Sequence, residues 1–160
     1  MEIRAAGEAD WPATWAMFEP IVREGETYSL PRDMDEAAAR GYWMAPDRAV
    51  FLAIEDGLVL GSSTIHPNQQ GGGAHVANAG YITAAAARGR GVARALCLHS
   101  LDYARDAGFR AMQFNFVVSS NAPAVHLWES IGFRVLARLP GAFEHPRLGF
   151  VDALLMWKDL

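Results

Sequence analysis

The chain lacks a partner for its cysteine. Cys97 is the single cysteine among 160 residues and lies in the helical pattern ALCLHSL, so no intrachain disulfide can form. A core thiol in a reducing compartment is the expected state, and we therefore expect a cytoplasmic protein. The five histidines form neither an HxxxH pair nor a cluster with the cysteine, so no metal site is predicted.

A basic surplus and long apolar runs are also missing. The net charge is −4, which argues against nucleic-acid binding because contacts with phosphates require excess positive charge. Polar residues interrupt the uncharged stretches 58–87 and 111–128, and acids interrupt the amino-terminal segment. Neither a membrane partner nor a signal peptide is therefore predicted.

Charge is distributed unevenly along the chain. Residues 1–60 carry 12 acids and 5 bases, whereas residues 61–160 carry 6 acids and 9 bases, concentrated between Arg88 and Arg110. This distribution favours a local positive site for a small polyanion over a field spread across the whole protein.

Turn signals and apolar periodicity predict one domain over residues 1–160, without repeats or linkers. Strands are predicted over residues 2–5, 50–54, 58–65, 74–83, 111–117, 133–139 and 150–157. Helices are predicted from about residue 11 to a loop at 25–31, and over residues 33–43, 91–107 and 121–131. Antiparallel strands followed by strand-helix-strand crossovers indicate a mixed α/β or α+β fold.

The most informative segment joins the strand that ends at Thr83 to the long helix that follows it. Arginine and glycine alternate there from Arg88 to Gly91. The glycines allow close approach of the backbone, and the helix start offers free N–H groups and a positive dipole end, so a pyrophosphate fits. An ordinary turn explains the glycines equally well, and neither the GxGxxG nor the GK[ST] pattern is present.

A second segment begins about 30 residues later, at Asn121. Asn121 suits the N-cap of a helix, and Gly132 suits its end. Between them, apolar residues recur at helical spacing: Ala124, Leu127, Trp128 and Ile131. Burial in the core explains these four positions fully, whereas the amide donors of Asn121 remain available for a ligand.

The two segments together resemble the signatures of the GCN5-related N-acetyltransferase (GNAT) superfamily. Arg88-x-x-Gly91-x-Ala93 resembles its pyrophosphate-binding motif, and Asn121-x-x-Ala124-x-x-Leu127-Trp128-x-x-x-Gly132-Phe133 resembles its next motif. The resemblance implies acetyl-CoA as the donor, a homodimer, and about four helices flanking a mixed, mostly antiparallel sheet. That sheet is expected to splay between its fourth and fifth strands.

The resemblance also implies which residues bind the cofactor. The backbone of the fourth strand is expected to bind the pantetheine and the thioester carbonyl, and the turn is expected to bind the pyrophosphate. The cofactor-binding residues are then Tyr81, Ile82, Thr83, Arg88, Gly89, Arg90, Gly91, Val92, Ala93, Asn121 and Trp128.

Neither a general acid nor a general base is evident. Trp128 stands where the superfamily usually has a tyrosine that protonates the leaving thiolate, and an indole N–H does not titrate. The two central strands contain no carboxylate. They carry Asn78 and Asn115 instead, and we expect these amides to be buried and in need of partners.

The amides have two possible roles. Asn78 and Asn115 can satisfy each other or the backbone in the core, or they can join Asn121 in holding the substrate or an attacking water. On the second interpretation Asn115 and Asn121 are the catalytic candidates, and Asn78 and Asn115 contact the substrate.

The segment GETYSLPRDM bears on the acceptor. It resembles the corresponding part of acetyltransferases for small amino-acid-like amines, including phosphinothricin and proline analogues. The resemblance implies that Glu26 and Tyr28 contact the substrate. Glu144 and His145 are expected in a solvated hairpin loop rather than at the acceptor pocket.

Three functions remain open. The first is direct transfer of acetyl from acetyl-CoA to the amine of a small molecule, such as an amino acid or its analogue, in a ternary complex. The second is acetylation of a protein N-terminus or of lysine. The third is a non-catalytic acyl-CoA sensor, which the missing tyrosine would favour.

Overall fold

The computed structural model describes all residues, 1–160. Its strands are β1 (Glu2–Ala5), β2 (Ala49–Glu55), β3 (Leu58–Pro67), β4 (Val76–Thr83), β5 (Ala111–Val118), β6 (Arg134–His145) and β7 (Gly149–Asp159). Its α-helices are α1 (Trp11–Glu24), α2 (Glu36–Trp43), α3 (Val92–Asp106) and α4 (Ala122–Ile131). No helix is both long and apolar enough to span a membrane.

The seven strands form one sheet in the order β1-β2-β3-β4-β5-β7-β6. All neighbouring strands are antiparallel except β4 and β5, which are parallel. These two share only the pairs Val76 with Ala111 and Ala77 with Met112, and then separate. The predicted fold class, with its four helices and its splay between the fourth and fifth strands, is confirmed.

Two predicted boundaries differ from the structure. Helix α2 begins at Glu36 rather than Asp33, because the carboxylate of Asp35 accepts the Ala38 N–H at 2.8 Å and caps the helix there. Strand β6 continues to His145, so the predicted hairpin loop is only a short turn between β6 and β7. His145 itself is buried, not solvated.

The helices cover opposite faces of the sheet. Phe18 of α1 and Trp43 of α2 are fully buried on one face, where the Trp43 indole donates to the Ser62 hydroxyl of β3 at 3.0 Å. On the other face, Cys97 of α3 and Trp128 of α4 pack in the largest apolar cluster. Burial raises the pKa of the Cys97 thiol to about 12, so it is the core thiol that the sequence predicts.

Gly61 sets how closely α3 approaches the sheet. A Cβ at this position would lie 2.8 Å from the Ile82 carbonyl oxygen and 2.8 Å from Cγ1 of Val92, the first residue of α3. Any larger residue would therefore push the start of α3 away from β3 and β4.

The Gly61→Ala substitution is predicted to lower the free energy of unfolding by about 1–3 kcal/mol, because the added methyl meets fixed backbone. Gly41→Ala in α2 is the matched control, since a Cβ there has no neighbour within 4 Å. It should raise stability by about 0.5–1 kcal/mol through helix propensity. Urea unfolding of both variants measures the difference, and equal effects would contradict the close approach of α3.

Candidate active site

The separation of β4 from β5 leaves part of the β4 backbone without a strand partner. At the two ends of the β3–β4 ladder, Ala84 N–H donates to Leu60 at 2.9 Å and Asn68 N–H donates to Val76 at 2.7 Å. Hydrogen-bonded pairs alternate along an antiparallel ladder, so the odd-numbered β4 residues turn their N–H and C=O groups away from β3. In the splayed part these residues are Ala79, Tyr81 and Thr83. Their N–H and C=O groups point into the space between the separated strands β4 and β5, which we call the gap.

Ile82 does not present its backbone to the gap, although it is predicted to bind the cofactor there. By the same alternation its backbone groups point toward β3, where it pairs with Ser62. Its side chain is only 2% exposed and packs in the core beneath α1 and α2. Tyr81 and Thr83 therefore offer peptide groups to the gap, and Ile82 does not.

Tyr28 occupies one of these backbone positions. Its hydroxyl accepts the Tyr81 N–H at 3.0 Å and donates to the Tyr81 carbonyl at 2.9 Å. The phenol passes over Gly80, where a Cβ would lie 3.2 Å from the hydroxyl oxygen. Burial raises the Tyr28 pKa far above its ordinary value, so this group is a neutral phenol at every physiological pH.

The turn between β4 and α3 is open. Gly89 and Gly91 have φ values of 77° and 79°, and a Cβ at either position would meet nothing within 4 Å. The N–H groups of Gly89, Gly91, Val92 and Ala93 have no acceptor in turns, loops or caps. The start of α3 thus presents several free donors at the positive end of a 15-residue helix.

The two arginines of the turn differ. Arg88 is exposed and forms no ion pair or side-chain hydrogen bond within the chain. Arg90 is held by Glu55, which also lies 3.5 Å from the amino group of Met1. The pKa of the Glu55 carboxyl is lowered by this hydrogen bond. Arg88 is therefore the free cation of the turn, and Arg90 is already neutralised.

Trp128 lies under the gap. Its ring centroid is 5.0 Å from that of Tyr81 and 5.3 Å from that of Phe114, so it joins α4 to both separated strands. The residue is 7% exposed, and its indole N–H has no acceptor in the chain. This N–H keeps some contact with solvent, because it does not belong to the fully buried polar atoms without a partner. Trp128, which packs against the Tyr81 and Phe114 rings, therefore carries an accessible donor without a partner.

Asn121 is predicted to cap α4, but its side chain does not do so. Its side chain makes no capping hydrogen bond, and the residue has φ −81° and ψ 62°. Its backbone carbonyl instead accepts the N–H groups of Ala124 and Val125, at 3.1 Å each. The whole carboxamide of this half-buried residue, acceptor as well as donors, is free of partners at the start of α4.

Asn78 and Asn115 do not bond to each other. The Asn78 amide donates to the Gln113 carbonyl at 2.8 Å and so bridges β4 and β5 one residue beyond their last paired residues. Asn115 is exposed, which corrects the expectation of burial. It donates to Asn68 at 2.6 Å and accepts from the Gln113 amide at 2.8 Å. We call Asn68, Asn78, Gln113 and Asn115 the amide shelf.

Two residues beside the amide shelf were missed by the sequence interpretation. His66 pairs with Asn78 in the β3–β4 register, and extending the β2–β3 register by one residue places Arg48 opposite His66. All three lie on the face that α1 and α2 cover, because Thr64, two residues from His66, bonds to Trp43 on that face. The strand register alone brings them together, and no motif in the sequence marks them.

His66 has a defined tautomer. Its Nδ1 lies 2.9 Å from the Pro67 carbonyl oxygen, which only accepts, so Nδ1 carries the proton and Nε2 keeps a lone pair. Burial and, secondly, the Arg48 charge hold the His66 pKa below its ordinary value. The imidazole is therefore uncharged at neutral pH and able to accept a proton at Nε2.

Glu26 is not a free carboxylate. It accepts from Arg147 at 2.9 Å and lies 3.9 Å from Nε2 of His145. The Arg147 hydrogen bond lowers the Glu26 pKa. These contacts tie the segment after α1 to the β6–β7 hairpin beside a polar cavity of about 410 Å³ that Gly25, Arg32, His145 and Arg147 help to line.

Comparison with known proteins identifies the family. Residues 13–133 match the model of the acetyltransferase (GNAT) family. The chain belongs to this family. N-acetyltransferase aca1 of Schizosaccharomyces pombe is 33% identical over 117 residues, covering 69% of this chain and 54% of that protein. Mycothiol acetyltransferase of Thermomonospora curvata is 35% identical over 95 residues, covering 57% and 29%. The GNAT chain thus spans about half, or less, of these curated relatives.

Solved structures of similar GNAT proteins agree over nearly the whole chain. A GCN5-related N-acetyltransferase from Kribbella flavida is 48% identical with a TM-score of 0.96, covering 99% of this chain and 97% of that one. Ribosomal-protein-alanine N-acetyltransferase from Brucella melitensis is 26% identical with a TM-score of 0.87, covering 100% of both. The putative acetyltransferase yncA from Salmonella typhimurium, solved with acetyl-CoA, is 25% identical with a TM-score of 0.88, covering 100% and 94%.

The Tyr28→Phe substitution is predicted to lower the free energy of unfolding by about 1–2 kcal/mol, because both Tyr81 backbone groups lose their partner. Tyr42→Phe is the matched control: its ring stacks on Phe18, and its hydroxyl makes no hydrogen bond within the chain. Denaturant unfolding of the two variants is the measurement. A Tyr42→Phe effect as large as that of Tyr28→Phe would contradict the backbone contact.

Proposed function

We propose that this GNAT protein transfers acetyl from acetyl-CoA to the amine of a small molecule, an amino acid or its analogue, by direct attack in a ternary complex. One continuous feature supports the proposal. The β4 backbone at Tyr81 and Thr83, which has no strand partner on this side, leads directly to the free N–H groups of Gly89 and Gly91. A pantetheine arm and a pyrophosphate need these groups in the same order.

The turn carries the anionic end of the donor in this proposal. The free N–H groups at the start of α3 bind the pyrophosphate, and Arg88 adds a charge-assisted contact. Arg90 contributes less, because Glu55 already neutralises it. The two arginines of the turn are therefore unequal, although both are expected from the sequence to bind the cofactor.

The gap carries the reaction in this proposal. Acetyl-CoA supplies a thioester whose carbonyl carbon the amine attacks, with loss of the C–S bond. Tyr81 N–H, released by the Tyr28 hydroxyl, donates to the carbonyl oxygen as negative charge develops there. The Trp128 N–H, with no acceptor of its own, donates to the leaving sulfur in place of a titrating tyrosine. The thiolate is a tolerable leaving group without a general acid, since a thiol has a pKa of about 8.5.

His66 takes the proton of the attacking amine in this proposal. Its Nε2 is unprotonated, it lies beside Asn78 at the point where the strands separate, and no carboxylate belongs to β4 or β5. The groups that act on its charge are Arg48, Asp47, Asn78 and the Pro67 carbonyl. Asn78, Asn115 and Asn121 orient the acceptor through their amides. Tyr28 lies where acceptor and thioester would meet, whereas Glu26 holds the β6–β7 hairpin.

The other parts of the proposal rest on the sequence. They are a single domain over residues 1–160, a cytoplasmic location inferred from Cys97, and a homodimer implied by the resemblance. Acetylation of a protein N-terminus or of lysine, and acyl-CoA sensing without turnover, are the competing functions. A screen of amino acids, proline analogues and basic peptides for CoA release, run beside acetyl-CoA titration calorimetry, separates them. Tight binding without CoA release for any acceptor would favour the sensor.

Arg88→Gln is predicted to weaken acetyl-CoA binding about tenfold, because one charge-assisted phosphate contact is lost. Arg90→Gln, its neighbour in the same turn, should weaken binding less than threefold, as only a carboxylate-bound guanidinium is removed. Titration calorimetry with acetyl-CoA measures both. Equal losses in the two variants would remove the distinction between a free and a neutralised arginine.

His66→Gln is predicted to lower kcat/KM for the amine about 10²-fold while leaving acetyl-CoA binding intact. In the unsubstituted protein, kcat/KM should fall on acidification with an apparent pKa below about 6.5, since burial and Arg48 lower the His66 pKa. This decrease of kcat/KM at low pH, the acidic limb of the profile, should be absent in His66→Gln. His99→Gln is the control, because His99 is also half-buried with a lowered pKa but belongs to α3 on the opposite face. An acidic limb that persists in His66→Gln would refute this role.

A further inference from the structure

Arg48 stands at the end of a row that crosses the sheet. It precedes β2, and extending the β2–β3 register by one residue places it beside His66 of β3, which pairs with Asn78 of β4. The Asn78 amide then reaches the Gln113 carbonyl of β5. The row therefore begins at Arg48 and ends at the gap, on the face that α1 and α2 cover.

The charge of Arg48 is not compensated within the chain. Its guanidinium takes part in none of the ion pairs. Its Nε is sealed from solvent without a hydrogen-bond acceptor, and the guanidinium carbon lies 4.8 Å from the Tyr42 ring centroid. A partly buried cation without an anion is costly, so the site favours binding a negative group.

The surroundings of Arg48 point toward the gap. Its positive charge favours the deprotonated form of both the His66 imidazole and the Tyr28 phenol, although burial keeps the Tyr28 pKa high. The Tyr28 hydroxyl bonds to the Tyr81 backbone inside the gap. The guanidinium thus lies over the Tyr42 ring of α2, and the row brings Arg48 beside His66, which pairs with Asn78 where the strands separate.

No acid of the chain supplies the missing anion. The amide shelf carries hydrogen-bonding groups without charge, and Glu26 is paired with Arg147. Asp47 is exposed and forms no ion pair with Arg48. A polyamine or a basic peptide would meet amides, an imidazole and an unpaired cation here, which is a poor match for its positive charges.

We infer that Arg48 binds the carboxylate of the acceptor, and that the acceptor is an amine with a carboxylate on the same carbon or the next one. Neighbouring strands are about 4.8 Å apart, so groups bound at Arg48 and at His66 are close neighbours. The carboxylate and amine of an amino acid have a matching separation, whereas the side-chain amine of lysine is far from its own carboxylate. This inference rests on the proposed acetyl transfer and names the substrate class of the same site.

The test compares each amino acid of a screening panel with its own carboxamide, which keeps the amine and removes the negative charge. We expect the unsubstituted protein to favour the amino acid in kcat/KM by about 10- to 100-fold. Arg48→Gln should remove this preference by lowering kcat/KM for the amino acid alone, and Arg48→Lys should restore part of it. Acetyl-CoA affinity should be the same in all variants.

Arg110→Gln is the matched control, because Arg110 is exposed, without an ion pair, and directly precedes β5, which is three strands away from β2 and Arg48 in the sheet. It should leave the preference unchanged. Equal turnover of amino acids and carboxamides by the unsubstituted protein, or an equal loss of both in Arg48→Gln, would overturn the inference while acetyl transfer stands. Absence of CoA release with every amine would instead overturn the proposed function and the inference together.

Discussion

The separation of β4 from β5 is the constraint on which the rest of the site depends. Parallel pairing ends after Ala77 and Met112, and the Asn78 amide makes the last bridge. Beyond it the β4 backbone loses one row of partners, and unpaired peptide groups inside a protein are costly. Tyr28 satisfies Tyr81 from one face, while Trp128 fills the space beneath from the other. Packing thus keeps the two strands apart, and the backbone groups in the gap remain able to bind a ligand.

The two ends of β4 carry sites of different chemistry. Its carboxyl end leads into an open turn where free N–H groups and Arg88 favour a polyanion. Its amino end carries the amide shelf, with His66 and Arg48 beside it on the neighbouring strands. The family match and the similar solved structures establish the fold around this strand.

Local sequence patterns predicted the elements and the turn, because both depend on residues close in the chain. The alternation of glycine and arginine before α3, and the apolar spacing of α4, are signals of this kind. Strand register is not a local signal, so nothing in the sequence indicates that Arg48 and His66 are neighbours. For the same reason Ile82 is predicted to bind the cofactor together with Tyr81, although the backbone groups of alternate residues face opposite neighbouring strands. The ion pairs of Glu26 and Arg90 join segments distant in sequence, which no local pattern reveals. Asn121 is predicted to cap α4, but its side chain makes no capping hydrogen bond.

The central claim is that the free backbone of β4 and the start of α3 bind one ligand together. Residue-resolved amide hydrogen exchange, with and without acetyl-CoA, tests it most directly. The claim predicts slower exchange on adding acetyl-CoA at Gly89, Gly91 and Val92 in the turn and at Thr83 in the gap, with little change at Ile82, whose amide already faces β3. Protection confined to the turn, or absent from both places, would contradict it.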